Sequence, residues 1–191
     1  MASSYSSDLS LELITTGEKA GLWGTITNTN LQILQQAASG YVAVPMTSLT
    51  DVTLSLADGS DTANGKNLYL KLTGTMTASI SLIIPAATTG GTATRTYIIE
   101  DTTDRTTANN YTINIKTAGS ATPVPLPEGA NIIVRSDGTD TVLAFIKPGI
   151  KDITAATITA YTAVNGDQVV VDTQANAVTI TLPITPVSYT H

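Results

Sequence analysis

Residues 111–116 read Tyr111-Thr112-Ile113-Asn114-Ile115-Lys116. Tyr111, Ile113 and Ile115 point one way, and Thr112, Asn114 and Lys116 point the other. That is the period-two pattern of a strand with one face on a core and one face in water. Working outward, comparable stretches lie at 41–44, 51–56, 68–72, 79–84, 96–100, 130–135 and 142–146. Between them stand turn formers: Ala57-Asp58-Gly59-Ser60, Asn64-Gly65, Thr88-Thr89-Gly90-Gly91 and Ser136-Asp137-Gly138-Thr139. Asp137-Gly138 predicts a two-residue hairpin. Eight short strands separated by such turns predict an antiparallel β-sandwich or jelly-roll-like domain.

One segment breaks the β pattern. Over 22–39, Leu22, Ile26, Ile33 and Ala37 keep helical spacing, as do Leu31, Leu34 and Ala38. Thr25 or a nearby Gly is expected to cap the start, and Gly40 to take a left-handed conformation at the end. The outer face carries Gln32, Gln35 and Gln36 rather than charge. Two readings stand: burial against other subunits, or one helix covering the end of a sheet. Trp23, the single Trp, is expected to be a buried anchor beside the helix, with a subunit-interface anchor as the alternative.

The fold class is therefore mainly β, with a short N-terminal helix. Three regions are expected. Residues 1–40 form an arm and helix for attachment and trimerisation, with the Ser-rich first ten residues reading as a flexible arm or as an arm that orders only on a partner. Residues 41–148 form the sandwich. Residues 149–191 begin a second small β module, past a boundary at Lys147-Pro148-Gly149. In that module YTAVNGDQVVVD (161–172) reads as two strands around Asn165-Gly166, and VTITL (178–182) as a third. Three strands are marginal alone, so the native chain is expected to continue past His191.

Composition narrows the function. Charged residues make up 13% of the 191, about half the ~25% of ordinary globular proteins. A hydrophobic share of 42% and a net charge of −6 do not fit a disordered chain. Nine Lys plus Arg against fifteen Asp plus Glu argue against nucleic acid or an anionic membrane as partner. No apolar run approaches the ~18 residues of a membrane span. Without cysteine there is neither a disulfide framework nor a thiolate metal site. The opening residues lack a basic start followed by an apolar stretch, so they do not read as a secretory signal. A chain made and held in a cytoplasm is expected.

Catalytic residues are not found. The one His is the terminal His191, so the common nucleophile–base pairs are missing. Asp58, Asp61 and Asn64 make an oxygen-rich loop. Ser60 and Thr62 stand where a calcium loop needs acidic or amide groups, so a plain solvated turn is expected. Glu100, Asp101 and Asp104 sit beside Thr102, Thr103 and Arg105. They read as a loop with local charge pairing rather than as a glycosidase pair. No metal, cofactor or enzymatic activity is expected.

The segment LELITTGEKAGLWGTITNTNL (11–31) resembles the opening of many bacteriophage tail-fibre proteins. The resemblance rests on Thr16-Gly17, Gly21, Trp23-Gly24, Thr27-Asn28, Asn30-Leu31 and Gly40. LKLTGTMTA (70–78), Ile84-Pro85, Tyr97, Ile115-Lys116-Thr117 and Leu126-Pro127-Glu128-Gly129 fall in the order of the β module that follows in such fibres. Residues 161–183 resemble a further fibre module. Glu100-Asp101 depart from the pattern, as does the long 88–94 loop.

The resemblance implies a structural virion protein, located in the virus tail and assembled in the host bacterial cytoplasm. It implies a homotrimer attached to other tail or baseplate proteins, with a distal part meeting a host cell-surface receptor. The expected attachment and trimer contacts are Tyr5, Leu9, Leu11, Leu13, Leu22, Trp23, Ile26, Leu31 and Leu34. Competing readings are a capsid decoration or head-fibre protein, a carbohydrate-binding adhesin module, and a depolymerase.

Overall fold

The computed structural model describes residues 3–105, 111–147, 150–154, 160–163, 168–172 and 177–181. The chain opens with β1 (Ser4–Tyr5) and β2 (Glu12–Leu13), then α1 (Trp23–Ser39). There follow β3 (Tyr41–Pro45), β4 (Val52–Thr53), a 3-10 turn at Asn64–Lys66, β5 (Tyr69–Thr75), β6 (Ile80–Ile84), β7 (Ala87–Thr88) and β8 (Gly91–Thr92). Then come β9 (Arg95–Asp104), β10 (Ile113–Thr117), β11 (Val124–Leu126), β12 (Asn131–Ser136) and β13 (Thr141–Lys147). The last strands are β14 (Ile150–Thr154), β15 (Ala160–Thr162), β16 (Gln168–Asp172) and β17 (Thr179–Thr181). The fold is mainly β with one helix near the N-terminus, as expected.

Two sheets build the main domain, in the orders β13-β12-β9-β5-β3 and β11-β10-β6-β4. The chain visits them alternately from β3 to β10, so each strand lies beside the one two visits earlier. Tyr41 pairs with Tyr69, and Tyr69 with Ile98. Val52 pairs with Leu82, and Leu82 with Ile115. These ladders are parallel, whereas β11 on β10, β12 on β9 and β13 on β12 are antiparallel. The sandwich stands as expected, and its sheets are mixed. Alternation has the same period in both strand directions, so it carries no information about direction.

The alternation does fix which side faces in. Leu70 and Leu72 of β5, Tyr97 and Ile99 of β9, and Ile132 and Val134 of β12 are buried. They meet Ile80, Leu82 and Ile84 of β6 and Ile113 and Ile115 of β10 in one core. Each such aliphatic side chain stabilises the fold by roughly 1.5–3 kcal/mol relative to exposure.

Two buried polar groups close the ends of this core. At one, Asp101 and Arg105 form an ion pair, Nη2 to Oδ2 at 2.5 Å, with side chains 0% and 5% exposed. Arg105 Nη1 also donates to Leu126 O, and Asp101 accepts from Thr103 N, Thr103 Oγ1 and Gly129 N. At the other, Thr117 Oγ1 lies 2.9 Å from both Ser136 Oγ and Thr141 Oγ1, tying β10 to β12 and β13 across the layers. Glu100, Asp101 and Asp104 thus lie on strand β9 and not in a loop. The apolar alternation there continues through buried polar residues, which hid it from the sequence.

Other expectations need correction. The first residues are not a free arm: β1 pairs with β2, and Ser10 is fully buried with its hydroxyl donating to Leu56 O. The helix has Leu22 at its N-cap with no side-chain cap, and Gly40 is extended (φ −66°, ψ 143°). Gly40 is required by crowding instead, since a Cβ would strike the Gln36 backbone and the Asn67 side chain. The 137–140 loop has four residues between Ser136 and Thr141, not two, because Asp137 Oδ1 accepts from both Thr139 N and Asp140 N. In the last segment the pairs are β14 with β16 and β15 with β17, both parallel. Asn165-Gly166 and residues 182–191 lie outside the described residues.

Arg105→Met leaves Asp101 buried without its cation and is expected to cost about 3–5 kcal/mol in urea unfolding. Lys71→Met breaks the part-exposed Lys71–Glu100 pair and is expected to cost no more than about 1 kcal/mol.

Candidate functional site

The sequence WGTITNTNLQILQQAAS of α1 contains no charged residue. It has neither an acidic first turn nor a basic last turn to answer the helix dipole. Its stability therefore comes from packing. One face docks on the domain: Ile33 is fully buried, Ile26 and Ala37 are half-buried, and Gln36 Nε2 donates to Asp61 O. Gln36 O accepts from Gly40 N at 2.8 Å and Leu68 N at 3.1 Å, which joins the helix end to the start of β5.

The other face is left open. At 3.6 residues per turn, Trp23, Gly24, Thr27, Leu31, Leu34 and Ala38 share one stripe. Trp23, Leu31 and Leu34 are 63%, 57% and 42% exposed, and Leu22, just before them, is 54% exposed. Positions 24, 27, 31, 34 and 38 alternate spacings of three and four, the interval of a coiled-coil seam. Trp23 is consequently not a buried anchor. The helix turns its Ile26–Ile33 face inward, and the indole lies outside that arc.

Of the nine expected contact residues, Leu13, Leu22, Trp23, Leu31 and Leu34 are exposed. Tyr5, Leu9, Leu11 and Ile26 are half-buried within the chain. Tyr5 lies against Gly59. Strand β2, which carries Leu13, is fastened to the helix by Asn30. The side chain of Asn30 accepts from Glu12 N at 3.0 Å and donates to Glu12 O at 2.9 Å. A side-chain amide here mimics a neighbouring strand, satisfying both polar groups of one edge residue. In the sequence Asn30 carries no signal beyond the resemblance, and its task becomes visible in the structure. Lys19 adds an ion pair to Glu12 at 3.1 Å, whose carboxyl is held below its usual range by Ser3 and Lys19.

Glu100, Asp58 and Asn64, weighed for chemistry, have structural partners. Glu100 accepts from Tyr69 OH at 3.0 Å, and the Tyr69 ring stacks on Tyr41. Asp58 accepts from Thr89 N, and Asn64 from Ser55 N. Among the described residues no group of three or more His, Cys, Asp or Glu is placed to hold a metal, and no helix is long and apolar enough to cross a membrane. Comparison with protein-family models, curated proteins and solved structures finds no match.

Asn30→Ala should release β2 from the helix. Amide exchange in residues 4–13 is expected to speed up by tenfold or so, for a loss of about 1–2 kcal/mol from two hydrogen bonds. Exchange in β5 and β9 should be unchanged.

Proposed function

We propose that this chain is a non-catalytic structural subunit of a bacteriophage particle, a tail-fibre segment that trimerises through the open face of α1. The observation that carries the reading is that face: an uncharged helix showing Leu31 and Leu34 to solvent on a three–four repeat, with Trp23 exposed beside it. A cluster of large apolar side chains left exposed on one helix face marks an interaction surface. Cyclic symmetry brings each residue near the axis close to its own copies. Like charges there would repel, and this helix has none. The resemblance of residues 11–31 to fibre openings supplies the class of assembly, and the mainly β body suits a fibre shaft. Attachment to a tail or baseplate protein, and a receptor reached by a distal part, belong to the same proposal.

Light scattering on the full chain at tens of micromolar is expected to give three times the 19.8 kDa chain mass. Leu31→Glu with Leu34→Glu should give the single mass with an unchanged β-type circular dichroism spectrum, because both side chains are exposed. An antibody label should find the protein on the tail of purified particles. A wild-type monomer that is missing from particles would sink the reading.

A further inference from the structure

The outer face of the five-stranded sheet carries one apolar row. Across the ladders Tyr41 stands beside Tyr69, Tyr69 beside Ile98, Ile98 beside Ile133, and Ile133 beside Phe145. Their chain neighbours Leu70, Ile99 and Ile132 lie in the core, so the row faces away from it. It crosses all five strands over roughly 19 Å, at ~4.8 Å from strand to strand. Its two ends stand clear of the domain, with Tyr41 59% and Phe145 60% exposed. Tyr69, Ile98 and Ile133 between them are half-buried. The Tyr41 and Tyr69 rings stack with centroids 5.8 Å apart.

Polar residues line both flanks of the row. Lys71, Glu100 and Asn131 run along one side, and Thr96 and Arg135 along the other. An apolar strip with a polar rim is the anatomy of a contact surface between proteins. Strand β13 is adjusted to it. The pairing of β12 with β13 shifts register between Ile133 and Val134. Val142, opposite Arg135, and Phe145, opposite Ile133, therefore share the outer face although they are three positions apart. A regular strand would send one of them inward.

Among the described residues, the exposed large apolar side chains fall into two groups, one on the arm and helix and one on this sheet, with Leu49 alone outside them. The two groups adjoin in the chain. Tyr41 follows the end of α1 by two positions, and Gln36 O of α1 accepts from Leu68 N, next to Tyr69. Area decides the occupant. An aromatic side chain presents about 150–250 Å², so one Trp and a few Leu side chains, each roughly half exposed, fall well short of the ~800 Å² per partner of a stable interface. The helix face is too small to hold an assembly alone. The sheet row, with two exposed aromatic ends and Val142 beside them, adds a comparable area. We infer that this row is a second contact between copies of this chain, continuing the α1 interface across the sheet, an inference that rests on the proposed trimer.

The full chain tests it. Tyr41→Lys with Phe145→Lys changes two exposed side chains on edge strands, where Lys is tolerated. The β-type circular dichroism spectrum should be kept. By light scattering over a dilution series, the concentration at half-association should rise about tenfold or more above that of the wild type. A footprint on the wild type needs no substitution. Hydroxyl radicals should oxidise Tyr41 and Phe145 about threefold more slowly in the trimer than in the diluted monomer, because the centre of an interface excludes water. Leu49 should react equally in both. Should the double variant lose its spectrum, the footprint alone decides.

Unchanged association of a folded double variant, or a Phe145 equally reactive in trimer and monomer, overturns the row and leaves the α1 trimer standing. Protection of Phe145 only in assembled particles would assign the row to another virion protein, and also overturns it. A wild type that stays monomeric at every concentration overturns the row and the trimer together.

Discussion

Parallel strands cannot be joined by a tight turn, and that constraint organises the molecule. Among β3, β4, β5, β6, β9 and β10 every connection leaves its sheet and crosses to the other one. The crossings enclose a single layer in which Leu70, Leu82, Ile99 and Ile115 are inaccessible to water. Only after β10 does the chain reverse, through the antiparallel strands β11, β12 and β13. β5 and β9 in one sheet, and β6 and β10 in the other, are thus held by neighbours remote in sequence.

The treatment of buried polar groups shows where the fold is complete. Asp101 and Arg105 are as deeply buried as any aliphatic residue, and hydrogen bonds account for both of them. Thr117, Ser136 and Thr141 satisfy one another. Their cost of leaving water is offset locally, and they fix the register of the two sheets at opposite ends. An unpaired buried charge costs several times what a paired one contributes.

Much of this was legible in the sequence. All eight strand segments read from apolar alternation have a counterpart, because an inward row such as Ile113-Ile115 requires it whatever the pairing. Pairing was not legible, since Tyr69 beside Tyr41 and Ile98 follows from crossings that leave no local mark. The arm misled because Ser residues suggest solvent, yet Ser10 (φ 55°) is buried with its hydroxyl on Leu56. Trp23 misled in the opposite sense: size and aromaticity suggest a core, and the angular position on the helix decides otherwise.

The scarcity of charge links composition to the proposed assembly. A residue on a symmetry axis meets itself, and self-contact tolerates only certain chemistries. Leu and Ala pack against their own copies, and Thr, Asn and Gln each carry both a donor and an acceptor, so two copies can hydrogen-bond. Lys has donors only and ionised Asp acceptors only, so neither can satisfy its own copy. The α1 sequence uses Trp, Gly, Thr, Ile, Asn, Leu, Gln, Ala and Ser, and nothing else. A solvent-facing helix of a monomer has no reason to avoid Lys and Glu, which favour helices and solubility. Their avoidance on both faces, with Leu31 and Leu34 left in water, is what the proposed self-association asks of the helix.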